Sequence, residues 1–402
     1  MKKQLSLKRC IVMAAMMAMV FFLLCSCSDD TTIDVVGGVA NCSDGIQNGN
    51  ETGIDCGWVC SNTCEAKNGL EGHIVARVIL DNTVEYKLTG PLIIRDGGEL
   101  EIREGTIIKA QKDANAYISV AQGGKLYIYG KPDAPVIITS DADNPAPGDW
   151  GGIVICGKAP TNRGENARSA LGDLFYGGNE LEDSSGTLQY LRVEYTGASF
   201  EETTTFNGIT FFGAGAFTNL EHVQSYQGKG NGFAFYGGNI NPKWLIASNH
   251  QGNGVAITDG WTGNAASLYL STNATSGIRT SNNETDVMAT PLTAGAIKNV
   301  SIIGPVSEGA LLFDQGGGIG TIDSLYTNST PLGIKVDGPE ATSKIDTGEW
   351  QVNTIQFDTT DEGFSVTNYT GPNVSFYSEG LTSGSGNNAN FPDWAMGWAR
   401  ED

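Results

Sequence analysis

Two aspartates are candidates for chemistry in this 402-residue chain, because they occupy equivalent places in a repeated pattern. Asp259 and Asp314 each lie five residues after a glycine that opens a repeat, and Asn282 holds the same place in the repeat between them. If successive repeats stack as β-strands do, about 4.8 Å apart, the two carboxylates lie roughly 10 Å apart. That separation loosely suits an inverting glycoside hydrolase. Asp and Asn also favour tight turns, so a structural role for this column stays open.

Aromatic side chains are a second kind of candidate, since an exposed ring can stack on a sugar. Trp150, Trp244, Trp261 and Tyr236 are of this kind. The predicted binding set combines two of these rings with the column of polar residues: Trp150, Trp261, Asp259, Asn282 and Asp314. Packing in a core or a cap is the alternative role for such rings.

The element that must position these residues is a strand that returns at regular intervals. A residue that is usually polar precedes a glycine, and apolar residues mostly follow one and three places later. The glycines of this series are Gly208, Gly232, Gly254, Gly277, Gly309, Gly333 and Gly363. Most of their spacings are 22 to 24 residues, and the two longer ones are 32 and 30. Alternation at period two predicts a strand, and a fixed period of this length predicts a solenoid.

Each repeat has room for more than one strand, which favours a β-helix. A coil of 22–24 residues with two or three short strands matches one rung of a parallel β-helix, in which each rung covers the apolar face of the last. The leading glycine suits either a positive φ or a close approach of the backbone. We therefore predict an all-β chain with a right-handed parallel β-helix over residues 70–377, preceded by a small disulfide-rich module.

Two other segments complete the predicted helix. Residues 158–187 form a long excursion that is rich in Gly, Asn and acids, and long loops on a rigid scaffold are where binding usually resides. Residues 378–402 end in the aromatic residues Phe391, Trp394 and Trp398. A solenoid needs a cap on its open edge, so we expect these residues to form a C-terminal cap.

Residues 148–160 and 176–195 carry a resemblance to a known group. Gly148-Asp149-Trp150-Gly151-Gly152 and the run from Ser185-Gly186 to Tyr195 resemble the right-handed β-helix surface lipoproteins that are common in Bacteroidota. The resemblance extends over residues 70–402. It implies the β-helix fold and a location at the cell surface, and it implies no reaction.

The motifs of β-helix polysaccharide hydrolases are missing from the predicted helix. Such hydrolases carry a paired Asp-Asp, a Gly-His-Gly and an Arg-x-Lys; the one Asp-Asp here, Asp29-Asp30, precedes the repeats. His222 and His250 fall at different places in their repeats, so we do not expect them to converge. A lyase needs a basic side chain beside acids that hold Ca²⁺. Several basic residues could serve, and no spacing singles one out: Arg192, Lys243, Arg279, Lys298 and Lys335.

The charge of the chain restricts its partners. The formal net charge is −21, and the first 27 residues hold four basic residues and no acid, so the remainder has 20 basic and 45 acidic residues, a net charge of −25. A surface this acidic argues against nucleic acid and against anionic polymers held by bulk attraction. It is compatible with divalent cations.

Residues 1–27 are predicted to be a lipoprotein signal peptide. A basic start precedes the apolar run 11–24, which is too short to span a membrane. The sequence Leu24-Cys25-Ser26-Cys27 resembles a bacterial lipobox, with Cys27 as the lipidated residue. Residues 28–40 are predicted to be a flexible tether, and Ser28-Asp29-Asp30 resembles the export tag of Bacteroidota-type surface lipoproteins. These features predict an outer-membrane protein anchored by lipid at the cell surface.

Residues 41–66 are predicted to form a module held by disulfides, because a segment this small cannot build a core. Its four cysteines, Cys42, Cys56, Cys60 and Cys64, allow three pairings. The stretch resembles a short secreted module of the same Cys, Gly and Asp pattern, with Trp58 in place of a Gly. Hard oxygen ligands offer Ca²⁺ as an alternative role, and they are Asp44, Asn48, Asn50, Glu51 and Asp55. Turn formation is the competing role for these five residues. Zinc is the alternative to disulfides for the four cysteines, although their spacings of 14, 4 and 4 residues are not those of a C-x2-C pair.

Three functions remain open at this point. The first is a binding module without catalysis that takes a glycan or a protein through one face or through residues 158–187. The second is a polysaccharide lyase or hydrolase that uses Asp259 and Asp314. The third is a structural partner of an outer-membrane protein complex.

The anchor can be tested by exchanging the two cysteines of the leader. We expect Cys27→Ala to leave an unprocessed or soluble protein and Cys25→Ala to change little, because only Cys27 has Leu at minus three and Ser at minus one. Fractionation of membranes, with labelling by a fatty-acid analogue, measures the effect. Lipid label on the Cys27→Ala protein would show that the anchor is elsewhere.

Overall fold

The computed structural model describes residues 42–43, 68–172, 174–200, 204–328, 330–359 and 362–401. The chain divides into two compact units, residues 1–67 and residues 68–402. Most residues of the predicted leader, tether and cysteine module lie outside the described residues, including Cys27, Cys56, Cys60 and Cys64 and the five oxygen ligands, so those predictions stay predictions. The described helices include none that is long and apolar enough to cross a membrane.

Residues 68–402 form a right-handed parallel β-helix, which confirms the predicted fold. A single sheet of 24 strands winds through it, and all the pairings of that sheet are parallel. The strands of the first rungs are β1 Gly69–Ile74, β2 Arg77–Ile79, β3 Tyr86–Ile94, β4 Glu99–Arg103, β5 Ile107–Ala110, β6 Tyr117–Val120, β7 Lys125–Tyr129, β8 Val136–Ser140 and β9 Ile153–Cys156.

In the regular rungs a long strand alternates with a short one. The long strands are β12 Gly186–Glu194, β16 Asn219–Tyr226, β18 Lys243–Ser248, β20 Asn264–Ser271, β22 Ala294–Ile303, β24 Ile319–Asn328 and β26 Trp350–Asp358. The short strands are β15 Ile209–Phe212, β17 Phe233–Tyr236, β19 Val255–Thr258, β21 Ser276–Thr280, β23 Gly309–Phe313, β25 Leu332–Val336 and β27 Ser365–Thr367.

Other elements lie outside this alternation. Two antiparallel hairpins project from the helix, β10 Ala167–Arg168 with β11 Phe175–Tyr176, and β13 Ser199–Phe200 with β14 Thr204–Thr205. Helix α1 Pro339–Asp346 is inserted after β25, and β28 Tyr377–Glu379 pairs with β26. A 3₁₀ turn spans Asp393–Ala395.

Each long strand turns a corner at one residue in the left-handed conformation. The residues of this bend column are Tyr190, His222, Trp244, Ser267, Asn299, Ser324 and Thr354, with φ between 49° and 60°. The bend divides the rung into three faces. Face 1 is made by the short strands, face 2 by the halves of the long strands before the bend, and face 3 by the halves after it.

Five of the seven leading glycines are needed for space, and they are Gly208, Gly232, Gly254, Gly277 and Gly333. The exceptions are Gly309, which has a φ of 137° and pairs with Ser276, and Gly363, where a Cβ would meet nothing within 4 Å. Gly208 and Gly277 do not have a positive φ, but a Cβ on Gly208 would lie 1.9 Å from Ser225 Oγ and one on Gly277 would lie 2.6 Å from Ile302. The backbone at this corner passes directly over the side chains of face 3. Of the two roles foreseen for these glycines, close approach is therefore the one that applies here.

The polar residues before four of these glycines, Asn207, Asn231, Asn253 and Ser276, form a ladder along the corner. Asn231 Nδ2 donates to Asn207 Oδ1 at 2.9 Å, Asn253 Nδ2 donates to Asn231 Oδ1 at 2.8 Å, and Ser276 Oγ donates to Asn253 Oδ1 at 2.5 Å. The same oxygens accept the backbone N–H groups of Asn231 and Asn253. Buried amides at a solenoid corner are satisfied in this way by the next rung.

The C-terminal tail corrects the expectation of a cap. Residues 380–401 run back along the outside of face 3, so their aromatic residues cover earlier rungs. Gln224 Nε2 donates to Arg400 O at 2.7 Å, Tyr269 Oη donates to Ala389 O at 3.1 Å, and Ser301 Oγ donates to Asn388 O at 2.9 Å. Ile246 points outward from face 3 and is nevertheless fully buried, because Trp398 and Ala395 pack on it. Covering these apolar side chains of the outer surface is what drives the tail onto this face.

The asparagine ladder can be tested by removing one rung of it. We expect Asn231→Ala to cost about 1–3 kcal/mol of unfolding free energy, because the N–H groups of the buried Asn253 lose their acceptor. The shift of the urea unfolding midpoint measures the loss. Asn241→Ala is the matched control, since Asn241 accepts from Asn264 in the same manner at an exposed position. An equal shift in both variants would contradict a special cost of burial.

His250 makes the stability depend on pH. Its side chain is 1% exposed, and burial lowers its pKa to about 4, against about 6.5 for a free imidazole. The part of the folding free energy that depends on His250 is fully present above about pH 6.5. As the pH falls from there to about 4, only the unfolded chain takes up the proton, and about 3 kcal/mol is lost. We expect His250→Gln to remove this part of the pH dependence, measured by urea unfolding between these pH values.

Candidate functional site

The excursion predicted at residues 158–187 lies on the outer surface of face 1. Leu171, Leu174 and Tyr176 pack on the outward side chains of face 1 strands, among them Cys156 and Phe212. These apolar residues form a second, outer core cluster that is separate from the interior of the helix. Face 1 is thus covered over its earlier rungs, and the cover ends near Tyr236.

Two polar residues fasten the start of the excursion to the corner of the helix. Thr161 Oγ1 donates to Asp259 O at 2.9 Å, and Asn162 N donates to the same oxygen at 3.0 Å. Asn162 Nδ2 also donates to Asn282 Oδ1 at 3.1 Å. The backbone of Asp259 is therefore a structural anchor, and its side chain is paired with Arg163.

A cleft of about 330 Å³ opens where the cover ends. One wall is the excursion with its β10–β11 hairpin, the floor is the surface of β15 and β17, and the far wall is the corner after β19 and β21. The residues that line it are Arg163, Ala167, Arg168, Ala170, Tyr176, Phe212, Tyr236, Asp259 and Glu284.

The floor of the cleft is a row of three aromatic rings. The centroids of Tyr176 and Phe212 are 4.8 Å apart, and those of Phe212 and Tyr236 are 4.6 Å apart with an angle of 22° between the planes. Tyr176 and Phe212 are buried, whereas Tyr236 is partly exposed. Burial raises the pKa of both tyrosine hydroxyls, so each stays protonated and can donate a hydrogen bond. The ring that a ligand can reach is therefore Tyr236.

The rim of the cleft is a network of compensated charges. Arg163 Nε lies 3.0 Å from Asp259 Oδ2, and its terminal nitrogen lies 3.2 Å from Glu284 Oε1. Burial raises the pKa of the Asp259 carboxyl, and Arg163 opposes that effect. The charged residues that line the cleft are two arginines, Arg163 and Arg168, and two acids, Asp259 and Glu284. The lining therefore has no net charge. Such a rim favours hydroxyl groups over strongly charged ligands.

The second candidate aspartate does not share this cleft. Asp314 is held by Arg279, whose Nε lies 2.9 and 3.0 Å from its two carboxylate oxygens. The strand register also corrects the predicted column: Thr280 pairs with Phe313, so Gln315, and not Asp314, follows Asn282 in line. Asp259 and Gln315 have positive φ values of 55° and 43°, as expected of turn residues. Asp259 and Asp314 therefore belong to separate ion pairs.

The remaining predicted site residues have structural positions. Trp150 and Trp261 are each 1% exposed inside the helix, so their rings cannot meet a ligand. Trp150 Nε1 donates to Glu194 O at 2.7 Å. Asn282 is fully buried and donates to Val287 O and Ala289 O, which closes the loop 283–293. His222 lies in the bend column and His250 is buried, so the two histidines do not meet, as expected.

Sequence reasoning missed Arg163, Tyr176 and Phe212 as lining residues. The signal was their position: Arg163 and Tyr176 lie in the excursion that was predicted to carry binding, and Phe212 is an outward residue of a repeat strand. Within the described ranges, no group of three His, Cys, Asp or Glu residues is arranged to hold a metal ion. The Ca²⁺ ligands predicted between Asp44 and Asp55 lie outside those ranges.

Comparison with known proteins agrees with the fold. The family model described as a pectate-lyase-like β-helix domain matches residues 72–399. The comparisons with curated proteins and with solved structures gave no match. The matched residues include every regular rung, both projecting hairpins and most of the tail, which is far more than half of the chain. The chain therefore belongs to the family of pectate-lyase-like β-helix domains.

Proposed function

We propose that this protein is a lipid-anchored outer-membrane protein that binds a neutral glycan in the cleft beside Tyr236, without cleaving it. A pectate-lyase-like β-helix domain fits either a binding module or a polysaccharide lyase or hydrolase. The observation that favours binding is the combination of a partly exposed tyrosine ring with a charge-compensated rim. The anchor at Cys27 and the location at the cell surface are carried by the sequence of the leader alone.

The aromatic floor supports a sugar as the ligand. A pyranose ring presents a face of C–H groups, and such a face packs on the negative face of an aromatic ring. The ring of Tyr236 stacks on the ring of Phe212 in the preceding rung. A volume of about 330 Å³ suits one or two sugar rings.

The charges support a neutral sugar. Both carboxylates on the rim are held by Arg163, and the protein as a whole carries a net charge of −21. An anionic polymer would be repelled by the acidic surface. It would also gain no ion pair from Arg163, because Arg163 is already paired with Asp259 and Glu284. The hydroxyl groups of a sugar, in contrast, can accept a hydrogen bond from Arg163 and donate one to Glu284 without disturbing the ion pairs.

A lyase or hydrolase is the second candidate, and one observation favours it. Asp259 lies in the cleft with a carboxyl pKa that is raised by burial, as the general acid of a glycosidase requires. Arg163 lies beside that carboxyl and opposes the rise in its pKa, and Asp314 is engaged elsewhere. A protein partner for the same surface is the third candidate, together with membership of an outer-membrane complex.

The proposal can be tested by removing the ring that the cleft exposes. We expect Tyr236→Ala to weaken the binding of a neutral oligosaccharide by roughly threefold to tenfold, as the loss of one stacking contact of ~0.5–1.5 kcal/mol requires. A glycan array selects the oligosaccharide, and titration calorimetry with the full chain measures its affinity. Tyr129→Ala is the matched control, since Tyr129 is an exposed tyrosine of another rung that stacks on Tyr127.

Activity is measured on the same material. Incubation with a panel of polysaccharides, followed by an assay for new reducing ends and for unsaturated products, should show no cleavage. Cleavage that disappears in Asp259→Asn would replace the binding proposal by the enzymatic one. Equal affinity of the wild type and Tyr236→Ala for every bound glycan would show that the cleft is not the site.

A further inference from the structure

The cleft beside Tyr236 is closed at the end that points toward the earlier rungs. Cys156, Phe212 and Tyr236 follow one another in an outward column of face 1, and their exposure rises in that order. Cys156 is fully buried and Phe212 is 2% exposed, because Leu171 and Leu174 of the excursion belong to the same packed cluster. A ligand ring at Tyr236 therefore meets the excursion and cannot extend over the ring of Phe212.

The hairpin β13–β14 covers the same rungs from the opposite corner of the helix. The ring centroid of Phe200 in β13 lies 5.3 Å from that of Phe206 and 6.2 Å from that of Tyr117. Phe206 and Tyr117 are buried members of the outer cluster that also contains Phe212. The outer surface of face 1 is thus covered from both corners before the column reaches Tyr236.

The side of the cleft at the corner after β19 is closed by contacts between two loops. Arg163 of the excursion is paired with both acids of the rim. Beside it, Asn162 Nδ2 donates to Asn282 Oδ1 at 3.1 Å, and Asn283 Nδ2 donates to Asn162 Oδ1 at 3.0 Å. Asn282 and Asn283 are themselves buried. These contacts join the start of the excursion to the loop 283–293 and make them one wall.

The cleft is open toward the later rungs. Thr258 follows Tyr236 in the outward column and is partly exposed, so the cover of face 1 has ended at that rung. The floor of aromatic rings closes the cleft from below, the excursion closes it toward the earlier rungs, and the corner wall closes it on one flank. Each of the three directions through the cleft is therefore closed on one side.

A sugar inside a chain needs two exits from its site. When it is linked through carbons on opposite sides of the ring, the chain continues from it in two opposite directions. A cleft that is closed on one side in every direction cannot hold such a unit. The last unit of a chain needs only one exit, and its unlinked end carries a free hydroxyl group. At the corner wall, Arg163 can donate a hydrogen bond to this hydroxyl and Glu284 can accept one from it.

We propose that the cleft takes the terminal unit of a glycan chain and excludes the units inside the chain. This inference rests on the proposed function, because it specifies which part of a neutral glycan the same cleft binds. The terminal ring lies against Tyr236 with its unlinked end toward Arg163 and Glu284, and the chain leaves toward the rungs after β17. The affinity then depends on the end of the chain and not on its length.

The test uses neutral oligosaccharides whose ends are blocked one at a time. The probes are β-1,4-linked disaccharides and hexasaccharides of glucose, mannose, xylose and N-acetylglucosamine, each free, methylated on the terminal C4 hydroxyl, or converted to the methyl glycoside. Titration calorimetry with the full chain should give similar affinities for the free disaccharide and hexasaccharide of the sugar that binds. One of the two caps should weaken binding about tenfold or more, since it removes a hydrogen bond to a charged group, and it identifies the end that is bound.

The corner wall is tested by removing its two charged side chains. Arg163→Ala should reduce the discrimination against the capped probe to less than about threefold, because the donor and part of the wall are lost. Glu284→Ala changes a mostly exposed acceptor and should reduce it in the same direction without affecting the fold. Arg77→Ala is the matched control, since Arg77 is paired with Glu99 and Glu101 on another rung. Urea unfolding confirms that each variant is folded.

The outcomes separate this inference from the proposed function. Binding that both caps leave unchanged, or an affinity that rises with each added sugar, would overturn recognition of the chain end and leave the binding of a neutral glycan intact. Discrimination that survives in both Arg163→Ala and Glu284→Ala would overturn it as well. Failure of every free probe to bind the wild type would overturn both proposals.

Discussion

The hydrogen bonds between rungs are the constraint on which the rest of this structure depends. Each rung donates to and accepts from the rungs on either side, so every rung must repeat the backbone path of the last to within a strand spacing. Corners must then fall in columns. The bend column holds seven non-glycine residues at positive φ, from Tyr190 to Thr354, although such a conformation costs about 1–2 kcal/mol for each of them. The parallel pairing and the buried interior offset this cost.

The same constraint separates the inside of the helix from the outside. Alternation sends Ile209, Phe211, Phe233 and Phe235 into the interior, where Phe211 and Phe235 stack at 5.1 Å. The outward residues are free to differ from rung to rung without disturbing the core. Two of the three faces have accordingly received different coverings: the excursion lies on face 1 and the tail lies on face 3. The cleft lies where the covering of face 1 stops.

The charges of the cleft are compensated within it. Arg163 pairs with both Asp259 and Glu284, and the four charged residues of the lining sum to zero. In the function that we propose, the ring of Tyr236 provides the contact area and the surrounding charges provide the selectivity.

The sequence by itself determined the architecture, because a strand that returns every 22 to 24 residues buries its apolar face by stacking on the next rung. The excursion 158–187 and Asp259, both singled out in the sequence, line the same cleft. The sequence did not determine the exact register, because a glycine that opens a repeat need not occupy the same place in every rung: Gly309 pairs with Ser276, so Gln315, and not Asp314, continues the column of Asn282. Nor could it show that Trp150 and Trp261 are buried or that the tail covers face 3, because those positions depend on contacts between residues far apart in the chain. The composition and the repeat period determine the backbone fold of each rung. Only the packed structure decides which outward side chains are covered and which remain accessible to a ligand.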